Sequence, residues 1–238
     1  MSNWNFWSVS VFIIALFIIS PVIAIFYSAF TGNTDLWPHL FSTVLSKYTI
    51  NTIVLMLGVG FLSLIFGISS AWIVTRYEFP FKTVLEWALL LPAAIPAYII
   101  AYTYTDILEY AGPIQSTLRE IFGWENARDY WFPNIRSMGG AIFVMSSVLY
   151  PYIFLMSRVS FLSTPLSFYQ TSMIHGKNVF FTVALPLARP SIVAGLALVL
   201  METISDFGTV DYFSLETLTL GVFNVWLGMN SLSGASQI

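Results

Sequence analysis

The stretch 1–34, MSNWNFWSVSVFIIALFIISPVIAIFYSAFTGNT, contains no Asp, Glu, Lys, Arg or His. The ranges 48–75, 87–105 and 137–157 share this feature. A helix needs about 20 mostly apolar residues to cross the hydrocarbon core of a bilayer. Several such runs in a chain of 238 residues, of which 57% are hydrophobic and only 9% charged, predict a protein that crosses the membrane several times.

We predict five membrane spans, all of them helices, because a helix satisfies its own backbone hydrogen bonds in lipid. The predicted fold class is therefore an all-α membrane protein, a polytopic helical bundle. In the tail 214–238, the apolar stretch 218–229 is too short to span, and we expect it to be re-entrant or interfacial. The five spans are 8–30, 49–75, 84–107, 137–157 and 190–212.

The loops differ in charge, and this difference predicts the orientation. The loop 158–189 contains Arg158, Lys177 and Arg189 but no acidic residue. Cytoplasmic loops carry an excess of Lys and Arg, so we place this loop and the short turn 76–83 in the cytoplasm. The N-terminus is then cytoplasmic as well. The two sides carry similar totals of basic residues, so the prediction depends on the purely basic character of 158–189.

The composition excludes several other classes of protein. The chain has no cysteine, and His39 and His175 are too far apart in sequence to read as a spaced pair of metal ligands. A net charge of -3 gives no indication of a nucleic-acid partner. The nucleotide pattern G-x-x-x-x-G-K-[ST] is absent, as are the hydrolase patterns G-x-S-x-G and H-E-x-x-H. We therefore expect neither an enzyme nor a bound cofactor, and ATP would bind to another chain.

Polar side chains recur at helical spacing in the third span. Tyr98, Tyr102 and Asp106 follow one another at intervals of four residues and should share one face. Two prolines, Pro92 and Pro96, precede them and should bend the helix. The stripe either lines a pathway or anchors the span through tyrosines near the outer headgroups.

The fifth span carries a second stripe, formed by Glu202, Asp206 and Thr209, with Glu202 predicted near the middle of the bilayer. A charge at that depth costs about 2.5–3.5 kcal/mol on insertion scales, so such residues usually face water or the protein interior. Three interpretations stay open. The stripe lines a substrate path, or Glu202 fixes helix packing through a hydrogen bond, or Glu202 and Asp206 form the acid pair of an intramembrane enzyme. No nucleophile or metal ligand accompanies the pair in the third case.

The segment 169–213, YQTSMIHGKNVFFTVALPLARPSIVAGLALVLMETISDFGTVDYF, resembles the cytoplasmic loop and following helix of permease subunits of binding-protein-dependent ABC importers. The signature of that family runs E-A-A, three residues, Gly, nine residues, then I-x-L-P. Here Gln-Thr-Ser replaces Glu-Ala-Ala, and eight residues rather than eleven separate the glycine from Leu-Pro. The matching positions, which the resemblance implies contact an ATPase, are Gln170, Thr171, Ser172, Gly176, Leu185 and Pro186.

Within that superfamily, longer stretches resemble the ferric-iron permeases. They are LEWALLLPAAIPAYIIAYTY (85–104), YAGPIQSTL (110–118), IRSMGGAIFVMSSVLYPYIFLMSR (135–158) and the segment 185–213. Such permeases are usually one long chain with two similar halves. The resemblance therefore implies the first half of such a chain, without its sixth span. Residues 1–48 would be a first transmembrane helix with a periplasmic linker, and 49–238 a C-terminally incomplete ABC importer type I transmembrane domain.

The resemblance also implies partners and a location. The chain would lie in the bacterial inner membrane, in contact with lipid and with a second permease half. A short coupling helix around 168–182 would dock into a cytoplasmic ABC ATPase dimer, which binds the ATP. A periplasmic substrate-binding protein would deliver the substrate, with ferric iron expected and thiamine, polyamine, phosphonate or sulfate left open.

Overall fold

A computed structural model describes residues 5–32 and 37–238, which form helices and turns without β-strands. The all-α prediction is confirmed. Within this part of the chain, four helices are long and apolar enough to cross a membrane, or five if one bent pair counts as a span. The helices are α1 (Phe6–Thr31), α2 (Trp37–Thr43), α3 (Leu45–Arg76), α4 (Lys82–Ala88), α5 (Ala97–Leu108), α6 (Pro113–Phe122), α7 (Met138–Ser163), α8 (Leu166–Ile174), α9 (Leu185–Ser205), α10 (Gly208–Tyr212), α11 (Leu218–Phe223) and α12 (Leu232–Gln237).

Three of the predicted spans are single helices. α1 and α3 contain the predicted ranges 8–30 and 49–75 in full. α7 begins one residue after the predicted start of the fourth span, because Ser137 caps it: the Ser137 hydroxyl accepts a hydrogen bond from the Gly140 N–H at 3.2 Å. Long charge-free runs therefore locate these helices well.

The third predicted span, 84–107, is not one helix. α4 ends at Ala88, a 3₁₀ turn covers Leu91–Ala94, and α5 begins at Ala97 after Pro96. The segments Lys82–Ala94 and Ala97–Phe122 make an angle of 102°. Proline lacks the amide hydrogen that a helix needs and disfavours helical geometry in the residue before it, so the bend is a break.

The fifth predicted span, 190–212, is wrong at both ends. A π-helical turn, Phe180–Ala184, leads directly into α9, and Pro190 lies inside that helix rather than at its start. Membrane helices tolerate an internal proline because neighbouring groups satisfy the freed carbonyl. α9 ends at Ser205, since Asp206 adopts an extended backbone with ψ 117°, and a new short helix, α10, begins at Gly208.

The chain divides into two compact units, each described here by itself. The first consists of the described residues up to Ile50 together with Glu216–Ile238. Its α1 has no buried residue, as expected for a helix whose apolar surface meets lipid or another subunit. The amide of Gln237 on α12 donates to the Ala29 carbonyl at 2.9 Å, which ties α12 to the end of α1. The predicted short apolar tail segment becomes α11 and a π-helical turn.

The second unit, Asn51–Leu215, contains α4 to α10 and most of α3. Its helices pack closely through small residues. A Cβ added to Gly67 on α3 would lie 2.7 Å from the Ile153 Cβ on α7, and one added to Gly195 on α9 would lie 2.9 Å from the Ile153 Cα. Small residues of this kind let membrane helices approach each other. α7 is therefore sandwiched between α3 and α9 at the level of Ile153.

The core of this unit consists of two separate clusters of buried residues. The first cluster takes members from α3, α5, α7, α9 and α10, and the second takes members from the end of α3, the second half of α7, α8 and the start of α9. The first is Leu55, Val59, Ala101, Ile135, Ala141, Val144, Met145, Leu149, Ile153, Val199, Val210 and Phe213. The second is Ala71, Val74, Phe154, Phe161, Tyr169, Ala184, Ala188 and Ile192.

Candidate functional site

The loop predicted to contact an ATPase begins with a well-defined short helix, α8. It ends in a hydrogen-bonding pattern known as the Schellman motif. The Lys177 N–H donates to the Ser172 carbonyl at 3.1 Å, and the Gly176 N–H donates to the Met173 carbonyl at 2.9 Å. Gly176 adopts φ +64°, a left-handed conformation that glycine reaches without steric cost. The glycine of the signature is thus the residue that stops α8 and turns the chain back toward α9.

One face of α8 packs onto the protein. The Tyr169 hydroxyl is buried and donates to the Phe161 carbonyl at 3.1 Å. Ser172 is buried as well, and its hydroxyl lies 2.9 Å from the Thr182 hydroxyl on the π-helical turn. These contacts fix how α8 lies against α7 and the start of α9. Ser172, predicted as a docking residue, therefore holds the loop together from the inside.

The other face of α8 is open. Gln170 and Thr171 are exposed there, as the signature predicts for docking positions. A groove of about 460 Å³ runs beside them, with Thr171, His175 and Lys177 among its lining residues. Large apolar side chains on α8 and the start of the following turn are exposed as well: Leu166, Phe168, Met173, Ile174 and Phe181. Apolar residues this exposed on a helix between spans indicate a surface that lipid or another protein covers.

Leu185 and Pro186 close the signature, and the structure places them away from the open face. They form the first turn of α9, directly after the π-helical turn Phe180–Ala184. Leu185 packs against the cluster that contains Phe161 and Tyr169. The two residues therefore position the α8 loop rather than present a surface.

The second predicted stripe is interrupted by the break after α9. Glu202 is exposed and lies one turn before the end of the helix, not in its middle. Asp206 lies in the break, where its carboxylate accepts the Thr209 N–H at 2.6 Å and the Thr209 hydroxyl at 3.0 Å. Thr209 itself is fully buried. The predicted continuous face is wrong, because Asp206 caps a new helix instead of continuing the old one.

The first predicted stripe nevertheless lies beside α10, the short helix that follows the break. Tyr98, Tyr102 and Asp106 are all exposed along one face of α5. A Cβ added to Gly208 would lie 3.1 Å from the Tyr98 Cβ, so α10 passes directly over the start of α5. The Tyr102 ring lies 6.1 Å from the Tyr212 ring of α10 in an edge-to-face arrangement. This surface of α5 and α10 is the candidate wall of a path.

Sequence reasoning missed an ion pair at the end of this wall. The Arg136 Nε donates to the Glu109 carboxylate, and the guanidinium lies 5.0 Å from the centre of the Tyr212 ring. The hydrogen bond that Arg136 donates to the Glu109 carboxylate raises the pKa of Arg136 above its ordinary value. The three side chains join α5, α7 and α10. They are far apart in sequence, so no local pattern predicts the contact.

The loop between α5 and α7 is ordered by a second network. The Arg119 guanidinium donates to the Tyr110 carbonyl at 2.8 Å and to the Tyr130 hydroxyl at 3.0 Å. That hydroxyl donates to the Gln115 side-chain oxygen at 2.6 Å, and the Trp124 ring stacks on the Tyr130 ring at 4.7 Å. The loop is thus a small folded cap. Across residues 5–32 and 37–238 no three His, Asp or Glu side chains cluster closely enough to hold a metal ion.

No family model matches the chain. Among curated proteins, it is similar to the molybdenum transport system permease protein ModB of Escherichia coli K12, with 29% identity over 154 residues that cover 63% of this chain. The match covers 64% of ModB, a little under two thirds of its length. The sulfate transport system permease protein CysW of Escherichia coli K12 is 25% identical over 234 residues, 92% of this chain and 76% of CysW. The Fe(3+)-transport system permease protein FbpB 2 of Haemophilus influenzae is 24% identical over 187 residues, 77% of this chain and 32% of FbpB 2.

Among solved structures, the chain is similar to one in the crystal structure of a bacterial alginate ABC transporter in complex with its alginate pentasaccharide-bound periplasmic protein. The TM-score is 0.70 at 18% sequence identity, over 95% of this chain and 83% of the other. The chain thus has the all-α, polytopic fold of an ABC transporter permease, consistent with a type I importer domain. Its named relatives are transport permeases and not enzymes. The names of these relatives mention molybdenum, sulfate and Fe(3+), so the comparison does not favour the ferric-iron type over the others.

Proposed function

We propose that this chain is a membrane-spanning permease subunit of an ATP-driven ABC importer in the bacterial inner membrane. A periplasmic binding protein delivers the substrate, a cytoplasmic ATPase dimer drives the motion, and a second permease half completes the pathway. The observation that carries the proposal is the α8 loop. It presents exposed apolar side chains on a short helix that Gly176 terminates, in a segment with basic and no acidic residues.

The proposal is tested by purifying the tagged chain from native membranes in mild detergent. We expect an ABC ATPase to co-purify and its ATP hydrolysis to rise when the cognate periplasmic binding protein is added with its ligand. A chain that purifies intact without any ATPase would contradict the proposal.

The orientation follows from the same proposal: α8 faces the cytoplasm and the cap between α5 and α7 faces the periplasm. Single cysteines at Thr171 and Thr117 test this in a chain that has no cysteine of its own. Both side chains are exposed, whereas Ser172 is buried and unsuitable as a probe. Cells treated with a membrane-impermeant thiol reagent should label Thr117→Cys and spare Thr171→Cys. The reverse pattern would mean that the N-terminus is periplasmic.

Ferric iron is the proposed substrate, with sulfate or another oxyanion as the alternative. The sequence resemblance and FbpB 2 support iron, while ModB and CysW support oxyanions. The exposed carboxylates of Asp106 and Glu202 favour the cation, because a path lined by negative charge attracts cations and repels oxyanions. Competition by ferric iron, molybdate and sulfate for uptake by the same complex decides between them.

Glu202→Gln tests the role of the carboxylate, since it removes the charge and keeps the shape. If Glu202 attracts a cation, uptake per folded complex should fall about fivefold, the scale of a single partly screened charge interaction of about 1 kcal/mol. Membrane insertion and ATPase binding should not change. Glu202→Leu separates this from packing, because loss of a structural hydrogen bond would reduce the yield of folded protein. Equal transport per complex for wild type and Glu202→Gln would leave Glu202 outside the path.

A further inference from the structure

The break between α4 and α5 leaves the Leu89 carbonyl without a hydrogen-bond donor from its own helix. In a continuous helix, the Ala93 N–H would donate to the Leu89 carbonyl. Here it donates to the Leu90 carbonyl at 3.2 Å instead. The Leu89 carbonyl accepts the Tyr150 hydroxyl of α7 at 2.8 Å. Within a membrane, an unsatisfied carbonyl is costly, so Tyr150 stabilises the break by supplying the missing donor.

A second contact joins the same two helices. The Arg158 Nη2 on α7 donates to the Glu86 carboxylate on α4 at 2.9 Å. Both side chains are largely buried, with 30% and 23% of their surfaces exposed. The Arg158 Nε is buried without a partner in the part of the chain that the structure describes. The ion pair is therefore the main compensation for a guanidinium held out of water.

Both contacts involve residues on the α4 side of the break, and this side packs against the same cluster as α8. Leu89 and Leu90 pack against the buried cluster that includes Phe161 of α7 and Tyr169 of α8. Beyond the break, Ile100 on α5 packs against the other cluster. α7 itself leads into α8 after only Thr164 and Pro165. The chain between α4 and α5 thus passes from one packed cluster to the other at a proline-rich break.

We infer that Glu86, Arg158 and Tyr150 are positioning residues that clamp α4 and the break 89–96 to α7, so that α4 moves together with α7 and α8. Helix breaks at prolines absorb large backbone changes, and packed clusters move as units. The inference rests on the proposed function for its consequence: displacement of α8 by the ATPase would carry α4 and the break along through this clamp, and so reach the start of the α5 wall. The clamp itself depends only on the contacts given above.

The clamp is tested first without transport, by hydrogen exchange of the purified full chain in lipid nanodiscs. Glu86→Gln and Tyr150→Phe should each speed exchange in α4 and the break by about threefold to twentyfold, the range for single interhelical hydrogen bonds in membranes. Exchange in α5 should not change. Two control variants should match wild type. Glu216→Gln removes an exposed ion pair to Lys47 that involves neither α4 nor the break, and Tyr152→Phe removes a hydroxyl that makes no hydrogen bond in the described chain.

The consequence is tested in the reconstituted importer, by measuring uptake of ferric iron, molybdate or sulfate per ATP hydrolysed. Glu86→Gln should lower this ratio about threefold or more while ATPase binding stays normal, and the charge reversal Glu86→Arg with Arg158→Glu should restore much of it. Unchanged exchange in α4 would overturn the clamp. Faster exchange with an unchanged ratio would overturn its role in coupling. A wild-type complex that transports none of these ions would count against the proposed function, and the exchange result would still decide the clamp.

Discussion

Replacing Gly176 with Val is expected to remove most ATP-driven uptake while the protein still inserts into the membrane. A β-branched residue at φ +64° is strained by about 1–3 kcal/mol, so the end of α8 should unwind or shift. At the upper part of this range, the productive arrangement of α8 would be depopulated by about tenfold to a hundredfold. Uptake per folded complex in proteoliposomes measures the effect.

Two matched variants separate this explanation from general destabilisation. At Gly123, as at Gly176, an added Cβ would have no neighbouring atom within 4 Å. Gly123 also has a positive φ of +68°, but it follows α6 in the opposite loop. Gly123→Val therefore introduces similar strain away from α8 and should leave uptake per complex near that of wild type. Gly176→Asn should retain most uptake, because Asn tolerates left-handed geometry. Equal loss in Gly123→Val and Gly176→Val would remove the special role of α8.

Ile174→Glu is expected to abolish stable association with the ATPase. Ile174 is 83% exposed on the open face of α8. Burial of an isoleucine side chain in an interface stabilises it by about 1.5–3 kcal/mol, and a carboxylate in the same place must be desolvated as well. The affinity should fall about a hundredfold or more. Co-purification and titration of the ATPase onto the nanodisc-embedded chain measure it.

Ile121→Glu is the control for this substitution. Ile121 on α6 is 69% exposed and apolar, but it belongs to the opposite loop. The same change of charge there should leave ATPase binding unchanged. If Ile174→Glu binds the ATPase as well as wild type does, α8 is not the docking surface.

The sequence best predicts the helices that hydropathy alone identifies. α1 and most of α3 and α7 lie in charge-free runs that are long enough to span a membrane, although α3 begins four residues before its predicted span and α7 ends six residues after its own. The α8 glycine was also predictable, because the loop signature requires a residue that can turn the chain. Its left-handed conformation confirms that physical reason.

The errors have a common cause, which is chain geometry that hydropathy does not encode. Pro92 and Pro96 predicted a bend. A full break in lipid also needs donors from other helices, such as the Tyr150 hydroxyl, to satisfy the freed carbonyl. Pro190 suggested a helix start, yet α9 accommodates it internally. Asp206 fits a helical stripe by spacing, while its bonds to Thr209 end one helix and begin another. In each case a contact distant in sequence or a local cap overrides the periodicity.

The pairing of α5 with α10 could not be predicted for the same reason. Spacing identifies Tyr98 and Tyr102 as one face of a helix, but it does not reveal the neighbour of that face. The structure places Tyr212 beside Tyr102 and Arg136 beside Tyr212. The wall of the candidate path therefore depends on how α5, α7 and α10 pack together.

Uptake by proteoliposomes tests the central claim most directly. They should contain this chain, its second permease half and the ATPase, with the binding protein and either ferric iron, molybdate or sulfate outside and ATP inside. We predict accumulation of one of these ions that requires both hydrolysable ATP and the binding protein, and that disappears with Ile174→Glu. Equal accumulation without ATP, or with an ATPase that cannot hydrolyse it, would contradict the claim that this chain is the permease of an ATP-driven importer.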